Sequence, residues 1–287
     1  MQSPNFSFEF FPPKTPEGAA RLRSAWHELA RLKPRFFSVT YGAGGSTRER
    51  TLETVLEIRA AGYEAAPHIS CIGATRAEIA DTLERYRASG IRHIVALRGD
   101  MPSGSMSLGD LRYASELVAF VRQLTGSHFH VDVACYPEYH PQARNPREDL
   151  FSFKRKIDAG ANAGITQYFY NSDSYFRFVE SSRKLGVEAP IFAGIMPIGN
   201  FSQLVRFSDM CGAEIPRWLR LKMESFGDDT EAIRDFGLDV VSEMCARLLA
   251  GGAPGLHFYT MNRSDLASEI WRRAGLPGAA KLHSGSG

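Results

Sequence analysis

The sequence predicts an α/β protein of the (β/α)₈ TIM-barrel class, as a single domain, on three observations. Eight short apolar runs rich in β-branched and aromatic residues recur along the chain. Stretches with apolar residues at helical spacing separate them. The 287 residues suit eight such units, a barrel of this kind usually needing ~250. A doubly wound open sheet is the alternative with the same alternation.

The first run, NFSFEFF (5–11), alternates: Phe6, Phe8 and Phe10 share one face, and Ser7, Glu9 and Phe11 the other. Pro12 and Pro13 then end the strand. Residues 15–33 place Ala19, Leu22, Trp26 and Leu29 on a helical stripe. FFSVTYG (36–42) is the second strand, and TLETVLEIRAAG the next helix, with Gly62 as its C-cap. AAPHISCI (65–72) leads to AEIADTLERYRASG, which closes on Gly90, and RHIVALRG (92–99) is the fourth strand. HVDVACYP (130–137) precedes DLFSFKRKIDAG, which closes on Gly160. GITQYFY (164–170) and PIFAGIMPI (190–198) are the sixth and seventh strands. Residues 200–250 exceed one unit and read as extra helices: NFSQLVRFSDMCG, IPRWLRLKM and DDTEAIRDFGLDVVSEMCARLLAGG. GLHFYTM (255–261) is the eighth strand. Nothing resembles a linker or a repeat, so residues 1–280 are expected to form one barrel, with 281–287 as a flexible tail.

Composition narrows the function. A net charge of +2, from 34 basic and 32 acidic residues, lacks the footprint of a nucleic-acid binder. Cys71, Cys135, Cys211 and Cys245 are far apart and show no metal spacing, which points to a reducing compartment without structural disulfides. No secretory leader and no apolar run of membrane-spanning length is present, so a cytoplasmic protein is expected. YGAGGST lacks the spacing of a dinucleotide fingerprint, and no Walker sequence occurs. His68, Glu138 and His140 have no zinc-like pattern, so no metal is expected.

Barrel active sites are built at the C-terminal ends of the strands. That end carries a polar group in nearly every run: Glu9, Thr40 and Tyr41, His68, Arg98 and Asp100, then Tyr136, Glu138 and His140. Gln167, Asn200, Asn262 and Arg263 complete the set. Each has a structural reading when taken alone; together they concentrate where barrel chemistry occurs. With its phenylalanine face under the helices, the first strand would aim Glu9 into the mouth. Burial there should raise its pKa and favour a protonated general acid; an ionised, paired Glu is the structural alternative.

FEFFPPK, SVTYGAGG, AAPHISCI, HIVALRGD, YPEYHP, KRKIDAGAN, ITQYFY and HFYTMNR resemble, in order and spacing, the bacterial methylenetetrahydrofolate reductases, from about residue 6 to residue 276. The resemblance implies an FAD-dependent barrel in which NADH or NADPH and methylenetetrahydrofolate use the flavin in turn, by ping-pong kinetics, and a homo-oligomer serving methionine supply. It makes Glu9 the acid that opens the bridged ring and sets Asp100 near the flavin and the folate pterin. It assigns Gln167, Gln203, Phe207 and Arg263 to the substrates, and Thr40 to the nicotinamide side. For FAD the matching positions are Tyr41, Ala43, His68, Arg98, Gly99, Asp100, Tyr113, Ala114, Tyr136, His140, Ala143, Asp149, Arg155 and Lys156. Ser152 stands where some relatives have an amide, so that contact is not carried over. The loop 101–110 looks longer than the family pattern. No C-terminal regulatory domain follows the barrel, so adenosylmethionine inhibition is not expected. Another flavin barrel of the proline-dehydrogenase kind, a Schiff-base lyase and a catalytically silent relative are the alternatives; the lyase lacks a strand-end lysine.

Overall fold

The structure, a computed structural model, describes residues 3–42, 47–100 and 109–278. Ala43, most of the 101–110 loop and the 281–287 tail lie outside them. Eight parallel strands close into a barrel in sequence order, with β1 hydrogen-bonded to both β2 and β8. The strands are β1 (Asn5–Phe10), β2 (Phe36–Val39), β3 (Ala65–Ser70), β4 (His93–Leu97), β5 (His130–Cys135), β6 (Ala163–Thr166), β7 (Ile191–Ile195) and β8 (Gly255–Tyr259). The helices are α1 (Pro16–Ala30), α2 (Arg48–Ala60), α3 (Arg76–Ala88), α4 (Ala114–Thr125), α5 (Pro146–Asp158) and α6 (Ser172–Lys184). The chain adds α7 (Phe201–Cys211), α8 (Arg217–Ser225) and α9 (Thr230–Ala250) between β7 and β8, and α10 (Asp265–Arg273) follows β8. The closed sheet removes the open-sheet alternative, and the extra helices fall where the 200–250 segment required them.

All eight predicted strands overrun their observed C-terminal ends. β6, for example, stops at Thr166, although GITQYFY continues the apolar pattern. The apolar residues beyond it, Tyr168, Phe169 and Tyr170, remain buried, but as loop residues packed over the barrel end rather than as ladder members. Gly62, Gly90 and Gly160 stand one residue past their helix caps, at φ 89°, 70° and 109°, the left-handed conformation that ends a helix.

The phenylalanine face of β1 packs outward as expected. Phe6 and Phe8 lie 4.4 and 5.8 Å from the Trp271 ring of α10, and Phe8 is 5.4 Å from Phe258. Each such fully buried ring contributes roughly 1.5–3 kcal/mol of transfer free energy. The inward face is different. A small apolar plug of Phe36, Ala66, Val95, Ala163, Ile165 and Phe192 shares the barrel interior with the buried polar residues Ser7, Ser38, His68, His93, Asp132 and His257. Polar groups above the plug face the mouth. Below it, at the N-terminal ends of β4 and β5, His93 and His130 hold the carboxylate of Asp132. All four cysteines are free. None of the described helices is long and apolar enough to cross a membrane.

Candidate active site

At the strand C-termini a cavity of about 580 Å³ opens, lined by residues of β1, β3, β4, β5, β6 and β8, by Thr40 and Tyr41 just after β2, and by α7. Glu9 sits in its floor with 13% of its side chain exposed. The backbone of Glu9 is clamped from β8: the Thr260 hydroxyl donates to its carbonyl at 2.6 Å, and the Thr260 amide at 3.3 Å. The carboxylate faces two imidazoles. His257 Nε2 lies 3.4 Å from Oε2. His68 Nε2 is also 3.4 Å from it, without hydrogen-bonding geometry and, among the described residues, without a hydrogen-bond partner. On the far side of the His257 ring, Ser7 Oγ is 2.7 Å from Nδ1. With the hydroxyl donating to Nδ1, the ring proton falls on Nε2, aimed at Glu9.

This arrangement corrects the expected charge state. Burial does push the Glu9 carboxyl upward, but the His257 hydrogen bond and the electrostatic influence of the two imidazoles outweigh it. The net shift is below the usual carboxylate range. Burial holds His68 below an ordinary imidazole. Glu9 is therefore ionised in the open mouth, not a waiting carboxylic acid.

Gly194 of β7 makes the opposite wall possible. The Tyr259 hydroxyl reaches over it from β8 and donates to the Thr166 carbonyl of β6 at 2.7 Å. A Cβ at residue 194 would stand 2.1 Å from that carbonyl oxygen and 2.8 Å from the Tyr259 ring. Thr40, Tyr41, His68, Asp100, Tyr136, His140, Gln167 and Phe207 line the same cavity as Glu9. Gln167 also accepts the Tyr168 amide through its side-chain oxygen.

A second cavity, about 680 Å³, continues from the first between β4, the start of α4, and α5. The two share Asp100, Tyr136 and His140 on their walls. The second adds Arg98, Gly99, Tyr113, Ala114, Ala143, Asp149, Arg155 and Lys156. His140 is tied down at two points: its amide donates to Asp149 at 3.0 Å, and its Nδ1 accepts the Gln142 amide at 3.0 Å. Burial raises Asp149. Lys156 is not part of an exposed helical face; its ammonium donates to the Ala134 carbonyl of β5 at 2.5 Å, and burial lowers its pKa. Arg155 is exposed and donates to Ser152 at 2.8 Å.

Two of the expected substrate residues are not brought in. Arg263 turns to the surface and pairs with Asp265 at 2.8 Å. Gln203 is exposed, its amide donating to the Asn200 side chain at the start of α7. Neither lines the described cavity. Asn262, at φ 59°, instead bridges the backbone N–H and C=O of Phe11. Glu138 accepts the Glu214 amide at 2.7 Å, and burial pushes its carboxyl up to about 7. It does not converge with His68 and His140 on a metal-ligand set. The sequence reading missed His257, Tyr259 and Ser7, although β-alternation places His257 and Tyr259 on one face and Ser7 on that of Glu9. Ser152, whose contact was not carried over, lines the second cavity.

A closed (β/α)₈ barrel with ionisable groups gathered at its mouth and a second cavity adjoining it has the layout of a barrel enzyme. Residues 1–275 match the family model described as methylenetetrahydrofolate reductase. The chain is 42% identical over 273 residues to the 5,10-methylenetetrahydrofolate reductases of Salmonella typhimurium and Escherichia coli, covering 95% of this chain and 91% of each relative. It is 36% identical to methylenetetrahydrofolate reductase (NADH) 1 of Arabidopsis thaliana, spanning 96% of this chain and 49% of the plant protein. The chain belongs to the methylenetetrahydrofolate reductase family. Among solved structures, a Clostridium thermocellum protein described as binding two copies of 5-methyl-5,6,7,8-tetrahydrofolic acid matches with TM-score 0.68 at 16% identity, over 95% of this chain and 94% of that one. A 2,3-dimethylmalate lyase matches with TM-score 0.52 at 14% identity, over 96% and 85%. Both share the fold.

Proposed function

We propose that this chain reduces 5,10-methylenetetrahydrofolate to 5-methyltetrahydrofolate as an FAD-dependent reductase using NADH or NADPH, by ping-pong kinetics. The observation that carries the reading is the gathering of Glu9, Asp100 and Gln167 on one cavity that runs into a second bearing Arg98 and Arg155. The residues present fit a flavin dinucleotide. The buried His68 Nε2, without a hydrogen-bond partner among the described residues, faces the first cavity, and two guanidiniums beside the second offer planar donors suited to a diphosphate. Arg98, Gly99, Tyr113, Ala114, Tyr136, His140, Ala143, Asp149, Arg155 and Lys156 would hold FAD, with Thr40, Tyr41 and His68 at its inner end. The flavin supplies hydride transfer, accepting from the nicotinamide and donating to the folate.

The protein's own part is positioning and proton movement. Gln167 offers an amide that can donate and accept, suited to alternating ligands. Phe207 offers a ring for stacking, and the Asp100 carboxylate favours a cationic folate beside it. Glu9 gives a proton to the bridging ring nitrogen, so that the ring opens to the iminium that accepts hydride. Because the carboxyl is ionised in the open mouth, it must first gain that proton. That proton enters from solvent; the neutral His257, oriented by Ser7, keeps its own Nε2 proton and holds the carboxylate by a hydrogen bond. Gln203 and Arg263 would serve the folate only after turning inward from their present surface positions. The same reading implies a cytoplasmic homo-oligomer in one-carbon metabolism, upstream of methionine.

The visible spectrum of the purified protein tests the reading, with any chromophore released by denaturation and identified. Bound FAD that is reduced by NADH or NADPH and reoxidised by methylenetetrahydrofolate is the expected result. A colourless protein that takes up no added FAD overturns it. His257→Gln provides a second test. With the imidazole gone, burial acts on Glu9 against the influence of His68 alone, so the carboxyl rises. The limb of the folate-reduction pH profile that reports loss of the Glu9 proton should then move to higher pH. The linked stability has the opposite sense: ionised Glu9 adds stability fully present above the unfolded value of ~4.3 and lost as pH falls through its lower folded value. The variant should lose part of that contribution. An unmoved pH limb would separate His257 from Glu9.

A further inference from the structure

The opposite end of the barrel carries a side-chain cluster that the mouth chemistry does not use. β4 and β5 pair with His93 opposite His130 and Val95 opposite Asp132. Strand alternation therefore turns His93, His130 and Asp132 into the barrel together, beside the plug residues Val95 and Ala163 that pair with Asp132. Asp132 is 1% exposed. Its Oδ2 is 2.8 Å from His93 Nε2, and its Oδ1 is 3.0 Å from His130 Nε2. The three ligand atoms lie within 4.8 Å of one another. The His93 ring is fixed by Phe36, 4.2 Å away, and meets the His130 ring edge-on at 4.6 Å. The His130 side chain is 31% exposed and opens the cluster to solvent.

We propose that this cluster is a binding site for one divalent transition-metal ion of the zinc class, held by His93 Nε2, His130 Nε2 and the Asp132 carboxylate. The donor set selects the class: two imidazoles and one carboxylate suit zinc and its neighbours, whereas magnesium and calcium prefer oxygen shells. Two of the three spacings are close to what is required. Ligands about 2.0–2.1 Å from a tetrahedral ion stand roughly 3.3 Å apart. The present 2.8 and 3.0 Å contacts run to the two carboxylate oxygens, and all three ligand atoms lie within 4.8 Å of one another; a turn of the partly exposed His130 ring would bring its Nε2 to a shared ion. The fourth position falls on the His130 side, where water can reach it.

Charge favours occupancy as well. With both rings neutral, the cluster holds an uncompensated buried carboxylate, a costly state. A divalent ion makes the cluster cationic, and a single proton makes it neutral; these two occupants compete. Because the ligands come from adjacent strands, the ion would staple β4 to β5 beneath the residues of the mouth.

The test uses untagged full-length protein, stripped with chelator and titrated with zinc, then with cobalt. The expected result is one zinc ion per chain, a rise in Tm that saturates at that ratio, and cobalt absorption of the intense tetrahedral type. His130→Gln, at the partly exposed position, should fold and lose the stoichiometric ion, the Tm response and the cobalt bands. His128→Gln should keep all three, since His128 lies beside the cluster and contacts Arg92 instead. Zinc uptake that is the same in wild type and His130→Gln overturns the proposal, as does its loss in His128→Gln or a stripped protein whose Tm ignores zinc. In those cases the cluster is an ion triad held by protons alone.

Discussion

Glu9→Gln is expected to leave FAD binding and reduction by nicotinamide intact, while folate reduction falls by roughly 10²–10⁴-fold, the span that a positioned general acid contributes. The substitution keeps the shape of the side chain. Its backbone clamp from Thr260 does not involve the carboxyl, and the amide oxygen can still accept from His257. What is lost is the transferable proton. Stopped-flow measurement of the two half-reactions separates the effects: the reductive half depends on the flavin and nicotinamide contacts, the oxidative half on Glu9. Folate reduction at the wild-type rate would remove Glu9 from the acid role, and slowing of both halves alike would make it a structural residue of the mouth.

Asp132→Asn should cost roughly 3–5 kcal/mol, the usual penalty for breaking a buried, hydrogen-bonded charge cluster. For a chain of this size that lowers Tm by on the order of 10 °C. The amide matches the carboxylate in volume but presents an N–H₂ to an imidazole that donated to the lost oxygen. One of the two short contacts to His93 and His130 then becomes a donor facing a donor, in a site with 1% exposure. The informative comparison is Asp158→Asn. Asp158 pairs with Lys154 at 2.7 Å on α5, but it is 57% exposed, and a surface pair of this kind is worth only ~0.5 kcal/mol. Equal Tm losses in the two variants, measured in metal-free buffer, would show that burial of Asp132 is not what matters.

The two predictions fall at opposite ends of one barrel, and the ends were unequally legible. At the mouth, the order of strands and the polar residue at each tip were readable because β-alternation and the loop after each strand are local patterns. Glu9 pointing inward with Phe6, Phe8 and Phe10 outward needed only residues 5–11. At the floor, HVDVAC reads as one more buried strand. Nothing in that hexapeptide says that His93, 39 positions from Asp132, closes on its carboxylate. Helix ends were legible to one residue through Gly62, Gly90 and Gly160, since a left-handed cap is a backbone requirement that the side chain discloses. Strand ends were not. An apolar run such as QYFY stays buried whether it is in the ladder or folded over it.

Local pattern and the ordered motifs were thus enough for the barrel, its extra helices and a list of residues near the chemistry. They were not enough for the membership or the charge of the site. Gln203 and Arg263 belong to the list yet face solvent, because the rotation of α7 and the Arg263–Asp265 pair are settled by packing around them. Glu9 was expected to be protonated on burial alone. It is ionised because closure of β8 on β1 brings His257, 248 positions away, to its carboxylate. A pKa is set by the whole shell around a group, and that shell exists only once the last strand has met the first.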